Sequence, residues 1–92
     1  MADLHHLHPP LPEGWSKGTF SGEWHREGHR VGDWASLLSV YRHGRDYTAC
    51  YGDAADGCVS VYLPDIFRTR TEAMAAVERA YCNCRIRSVK GG

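Results

Sequence analysis

Residues 69–84, TRTEAMAAVERAYCNC, decide the fold: they read as a capped amphipathic helix placed after every strand-like segment. Thr69 and Glu72 stand in the S/T-x-x-E spacing. There the Thr oxygen accepts from the third helical N–H and the Glu reaches back, so two orphan donors are satisfied. Ala73, Val77, Ala80 and Cys84 fall on one stripe with Met74 and Tyr81 beside it, while Glu72, Glu78 and Arg79 face out. The spacing predicts a helix over 70–82. Small residues on its inner stripe let it lie close on a sheet.

Upstream, glycines and polar turns divide the chain into short strands. Residues 15–24, WSKGTFSGEW, alternate weakly and read as a first strand interrupted by Gly18 and Gly22. HREGHRVGD, residues 25–33, reads as a loop. WASLLSVYR, residues 34–42, is rich in Leu, Val and Tyr and predicts the best strand, ended by the turn His43-Gly44-Arg45-Asp46. Tyr47–Tyr51 and Cys58–Leu63 predict a hairpin. Pairing Ala49 with Val59 also pairs Tyr47 with Val61, Thr48 with Ser60 and Cys50 with Cys58, and sorts apolar from polar faces. Pro64 ends the last strand, and Ile66 and Phe67 are expected to plug the core before the helix. The fold class is therefore α+β: three to four antiparallel strands with one C-terminal helix packed on one face.

Ninety-two residues make one domain. Residues 1–13, with His5, His6, His8 and three prolines, read as a flexible arm; 14–90 form the domain, and Gly91 and Gly92 a tail. Eleven basic side chains balance eleven acidic ones, which lowers the weight of nucleic-acid binding as the main activity. Arg85, Arg87 and Lys90 keep a local basic contact open. No apolar run approaches the roughly 18 residues that span a bilayer. The first residues lack a cationic segment followed by an apolar stretch. A reducing cytoplasm is therefore the expected compartment, in which thiols stay free or bind metal.

Chemistry-bearing groups are present without a recognisable pattern. Cys50, Cys58, Cys82 and Cys84 offer two thiol pairs, but no C-x(2–4)-C knuckle; a four-thiolate zinc site is the weaker alternative to free thiols. A Cys50–Cys58 cross-strand disulfide is geometrically reasonable but unfavoured in that compartment. His25 and His29 lack the H-E-x-x-H pattern of a catalytic zinc. No Ser or Cys sits in a nucleophile elbow, and no glycine-rich phosphate cradle occurs. The expectation is a protein without enzymatic activity and without a cofactor. The terminal diglycine resembles the tails of ubiquitin-like and sulfur-carrier proteins. Those place the helix between two hairpins, whereas this chain places it after all its strands.

Aromatic side chains exceed what so small a core buries, and Trp and Tyr are enriched at protein interfaces. Trp24, Tyr41, Arg42, Arg45, Tyr62, Arg68 and Arg70 are the expected partner-binding residues. In size and layout the chain resembles small phage and mobile-element accessory proteins, anti-CRISPR inhibitors among them. The hairpin pattern WASLLSVYRHGRDYTACYG…CVSVYL and the helix FRTRTEAMAAVERAY carry this resemblance. It implies an inhibitor in the host-cell cytoplasm that occupies the surface of a CRISPR effector (Cas) subunit. The alternative is a small nucleic-acid-associated or zinc-stabilised module.

Overall fold

The computed structural model describes residues 11–56 and 59–91, with side chains for all of these except residue 56 and residues 86–91. Five strands form one antiparallel meander in chain order: β1 (Trp15–Lys17), β2 (Glu23–Val31), β3 (Trp34–His43), β4 (Asp46–Gly52) and β5 (Ser60–Tyr62). A 3₁₀ turn, Ala54–Asp56, lies between β4 and β5, and α1 (Arg70–Gly91) follows the sheet. The expected α+β arrangement is present, with a fifth strand.

That additional strand is β2, and it corrects the reading of residues 25–33 as a loop. Its first half pairs Trp24 with Val40 and Arg26 with Leu38; after a bulge it resumes with Arg30 opposite Ala35 and Val31 opposite Trp34. The bulge takes up Gly28 and His29. A Cβ on Gly28 would fall 2.9 Å from the Tyr81 ring. The His29 N–H donates to the Tyr81 hydroxyl at 2.9 Å, a bond from sheet to helix. The polar second half of β2 is therefore held by pairing and by α1, without an apolar face of its own. Two-residue turns join β2 to β3 and β3 to β4; Gly32 and Gly44 take their first positions at φ +59° and +65°, where a β-carbon is strained.

The side chains sort by strand alternation. Trp15, Trp24, Leu38, Val40, Ala49 and Tyr51 point toward α1 and meet Ala73, Met74 and Val77 in one buried cluster. Burying Met74 and Val77 fully is worth about 1.5–3 kcal/mol each in area alone. Tyr47, Leu63, Phe67, Ala80, Tyr81 and Cys84 pack around that cluster, as the helical stripe predicted for the last three. The Thr69 half of the cap forms as expected, the Glu72 N–H donating to Thr69 Oγ1 at 3.1 Å. The Glu72 carboxylate reaches back to the Thr69 hydroxyl, which donates to Oε1 at 3.1 Å, where the expected box has a backbone N–H.

Four further expectations are corrected. The helix continues to Gly91 instead of ending at 82, because no Gly or Pro interrupts Arg85–Lys90 once the apolar stripe fades. Glu78 turns inward, accepting from the Trp15 indole N–H at 3.1 Å and from Arg26 Nη1 at 2.5 Å. Ile66 is exposed, and only Phe67 plugs, bridged to Tyr47 by paired backbone hydrogen bonds of 2.8 and 2.9 Å. In the β4–β5 hairpin Cys50 faces Tyr62 and Tyr51 faces Val61, with the Leu63 N–H donating to the Ala49 carbonyl at 2.9 Å. Relative to the expected register the strand is slipped by an even number of residues. The faces are preserved because the side-chain period is two. No helix among the described residues is long and apolar enough to cross a membrane.

Candidate functional site

The helix covers one side of the sheet, and the other carries the most varied group of side chains. Ser16, His25, Ser39, Cys50 and Tyr62 form one cross-strand row on that side, running from β1 to β5. Glu23, Tyr41 and Thr48 make the next row, and Leu37 stands at the other end of β3. Within this surface His25 Nδ1 lies 2.8 Å from Ser39 Oγ, and His25 Nε2 lies 3.4 Å from Glu23 Oε1. The His25 and Tyr41 rings pack edge to face with centroids 6.0 Å apart.

The carboxylate–imidazole–hydroxyl order resembles a nucleophile relay, but the exposures oppose that use. Ser39 is only 3% exposed, so its hydroxyl does not meet a substrate of any size. Burial pushes the Cys50 thiol up, against a smaller opposing hydrogen bond from Ser39. The thiolate that would attack is therefore disfavoured. Burial also raises Tyr41, with Cys50, Glu23 and Tyr62 adding to the shift and Ser39 opposing it. The network fixes the orientation of His25 and Tyr41. It does not activate a group.

What this side does present is shape and apolar area. Tyr62 is 68% exposed on β5 and Leu37 is 42% exposed on β3, with Tyr41 half-buried four residues beyond Leu37 on the same strand face. Phe20, in the β1–β2 turn, is 72% exposed, and its N–H donates to Glu23 Oε1 at 3.4 Å. Phe20 and Leu37 escaped the sequence reading. An apolar residue in the turn-rich WSKGTFSGEW and one strand residue among two leucines carry no signal that tells outward from inward until the register is known.

The expected partner-binding residues divide among three places. Tyr41 and Tyr62 lie on the uncovered face. Arg42, Arg45 and Arg68 are exposed at the end of the sheet where the β3–β4 turn and the approach to α1 meet. Trp24 is a correction: it is buried to 8% on the helix side, its ring 6.0 Å from that of Tyr47, with the Arg70 guanidinium 5.3 Å over its face. Arg70 therefore serves the core, and the seven residues do not form one surface.

Arg85 extends toward the β4–β5 connection, 3.6 Å from the buried carboxylate of Asp53. Asp53 also accepts from Ser36 Oγ and the Ala55 N–H, each at 3.1 Å, and Ser36 Oγ accepts from the Ala54 N–H at 2.8 Å. This places Arg85 in a structural role; the side chains of Arg87 and Lys90 lie outside the described residues. Arg26, Glu27, Leu38, Glu78, Tyr81 and Arg85 line a groove of about 520 Å³ between β2 and α1. Arg79 lines it too, and two of its three arginines, Arg26 and Arg85, are each matched by a carboxylate of the protein itself.

The thiols are separated by the sheet. Cys50 is buried on the uncovered side, whereas Cys82 and Cys84 ride on α1 over the opposite side, and Cys58 lies outside the described residues. One tetrahedral centre cannot take thiolates from both sides of a sheet, so the four-cysteine zinc alternative is not assembled. The His5, His6 and His8 arm and Gly92 also lie outside the described residues. No protein-family model, curated protein or solved structure matches the chain.

Proposed function

We propose that this protein is a binding module without enzymatic activity, which acts by docking the uncovered sheet face on a protein partner. One observation carries the reading: a side chain as large as Tyr62 stands 68% exposed on the same sheet face as Leu37 and the half-buried Tyr41, which packs edge to face with His25, and α1 leaves that face free. Rigid aromatic anchors surrounded by fixed polar groups are the usual hot-spot chemistry of protein interfaces. Strands also hold such anchors with little mobility. The burial of Ser39 and the raised Cys50 thiol support the absence of catalysis. A CRISPR effector subunit is the partner class that the anti-CRISPR resemblance puts first. The nucleic-acid alternative has less support, because Arg85 is already paired with Asp53.

The test is inhibition of target-DNA cleavage by purified CRISPR effector complexes, with binding measured by surface plasmon resonance. Tyr62→Ala and Leu37→Asp should each weaken binding by about tenfold or more, as hot-spot losses of roughly 2 kcal/mol do. Arg79→Ala, on the exposed side of α1, should leave it unchanged. Retardation of free DNA with a steep salt dependence, unaffected by either substitution, refutes the reading.

A further inference from the structure

The two edges of the sheet are unlike. β1 ends in Lys17, a charge of the kind that keeps an edge from pairing with another chain. β5 carries no charge, and from Val59 to Leu63 the sequence is Val-Ser-Val-Tyr-Leu. Around it Val59, Val61, Tyr62 and Ile66 are all exposed, Val61 at 46% although it points to the same side as the core residue Tyr51. Helix α1 lies over β3 and β4 and stops short of this edge.

The direction of the backbone groups follows from the pairing already described. In an antiparallel strand the N–H and C=O of one residue point the same way and alternate with those of the next. Leu63 donates inward to Ala49, so Val61 and Val59 also face β4. Ser60 and Tyr62 therefore present their N–H and C=O groups outward. Two outward residues flanking one inward residue make a two-fold symmetric set.

We propose that the β5 edge is an interface with a second copy of this chain, in which the two β5 strands pair antiparallel about Val61. Ser60 of each copy then exchanges both backbone hydrogen bonds with Tyr62 of the other. Val61 faces Val61 of the partner in the close, non-hydrogen-bonded position on the helix side, and Val59 faces Leu63. The absence of charge on this edge favours a second copy over a charged peptide strand: no side chain of Val59–Leu63 repels its own image. The pairing sets the exposed Val59 and Val61 against Leu63 and Val61 of the second copy on the helix side, and joins the two uncovered faces, Tyr62 near the seam, into one ten-stranded surface. It stands independently of the docking reading above.

Sedimentation equilibrium of the full chain tests this. The expected mass is twice the 10.3 kDa of one chain; a 10.3 kDa species at about 100 µM, roughly a hundred times a micromolar Kd, overturns the proposal. Val61→Lys places two ammonium groups face to face across the axis and should weaken dimerisation at least about tenfold while circular dichroism stays that of the folded chain. Phe20→Lys, far from the edge, should have no effect. A second variant reads the register itself. Val61→Cys should give an oxidised 61–61 cross-link, detected by mass spectrometry, because close pairs bring Cα atoms to about 4.5 Å, within disulfide reach. Val59→Cys should not. A dimer that survives Val61→Lys, or cross-links equally through position 59, overturns the pairing.

Discussion

Replacing Glu78 tests the tie between α1 and the first two strands. Its carboxylate accepts from the Trp15 indole at 3.1 Å and from Arg26 at 2.5 Å. Trp15 is buried, so Glu78→Ala leaves its N–H without an acceptor, at about 1–3 kcal/mol. The Arg26–Glu78 pair is different, because both side chains are more than a third exposed. Solvent screening holds its share to about 0–1 kcal/mol. The expected total is about 1–4 kcal/mol, which for a domain of this size lowers Tm by roughly 4–32 °C. Glu78→Gln removes the charge but keeps an oxygen for the indole, and should cost less than about 1 kcal/mol. Thermal unfolding followed by circular dichroism, repeated at low and high salt, separates the two. Equal losses for Ala and Gln, both abolished by salt, would refute the argument, since the charge and not the indole bond would then hold the helix.

Two further outcomes concern the thiols and the cap. Iodoacetamide at pH 8 should label Cys82 in the native protein and leave Cys50 unlabelled until urea is added; equal labelling would show the sheet face to be open. Because burial raises both Cys50 and Tyr41, their neutral forms belong to the folded state. That contribution is complete below the ordinary thiol value of about 8.5 and is lost as pH climbs through the raised values, so urea midpoints should fall on the alkaline side. Thr69→Ala removes the acceptor of the Glu72 N–H and should cost about 1 kcal/mol. Thr69→Ser should restore most of it, and an unchanged midpoint for Thr69→Ala would contradict the cap.

The helix, its cap and its inner stripe were legible because each is a local pattern: Thr69 and Glu72 are three residues apart, and Ala73, Val77 and Ala80 repeat at helical spacing. Strand β3 was legible because its composition is apolar throughout. Strand β2 was not, since its second half buries little and shows no apolar alternation; the pairing with Ala35 and Trp34 is only a turn away, but the bond to Tyr81 comes from 52 positions along the chain. The same holds for Glu78 and Arg85, which read as solvent-facing charges until Trp15, Arg26 and Asp53 arrive from distant positions. On the candidate face Tyr41 and Tyr62 were anticipated from residue type. Trp24 was misplaced because type alone does not tell which side of a strand a ring occupies. The hairpin faces came out right with the register wrong, as an even slip allows.

The hydrogen bonds from α1 to β1 and β2 span 52 to 63 positions along the chain. During synthesis the hairpins, whose partners are near neighbours, can close while the ribosome still holds the segment that will seal them. Leu38, Val40 and Tyr51 then stay wetted until residues around 85 have cleared the exit tunnel. Nascent chains of this protein thus pass through a sticky interval that ends when the last segment swings over, and a stop codon before Val77 would make that interval permanent.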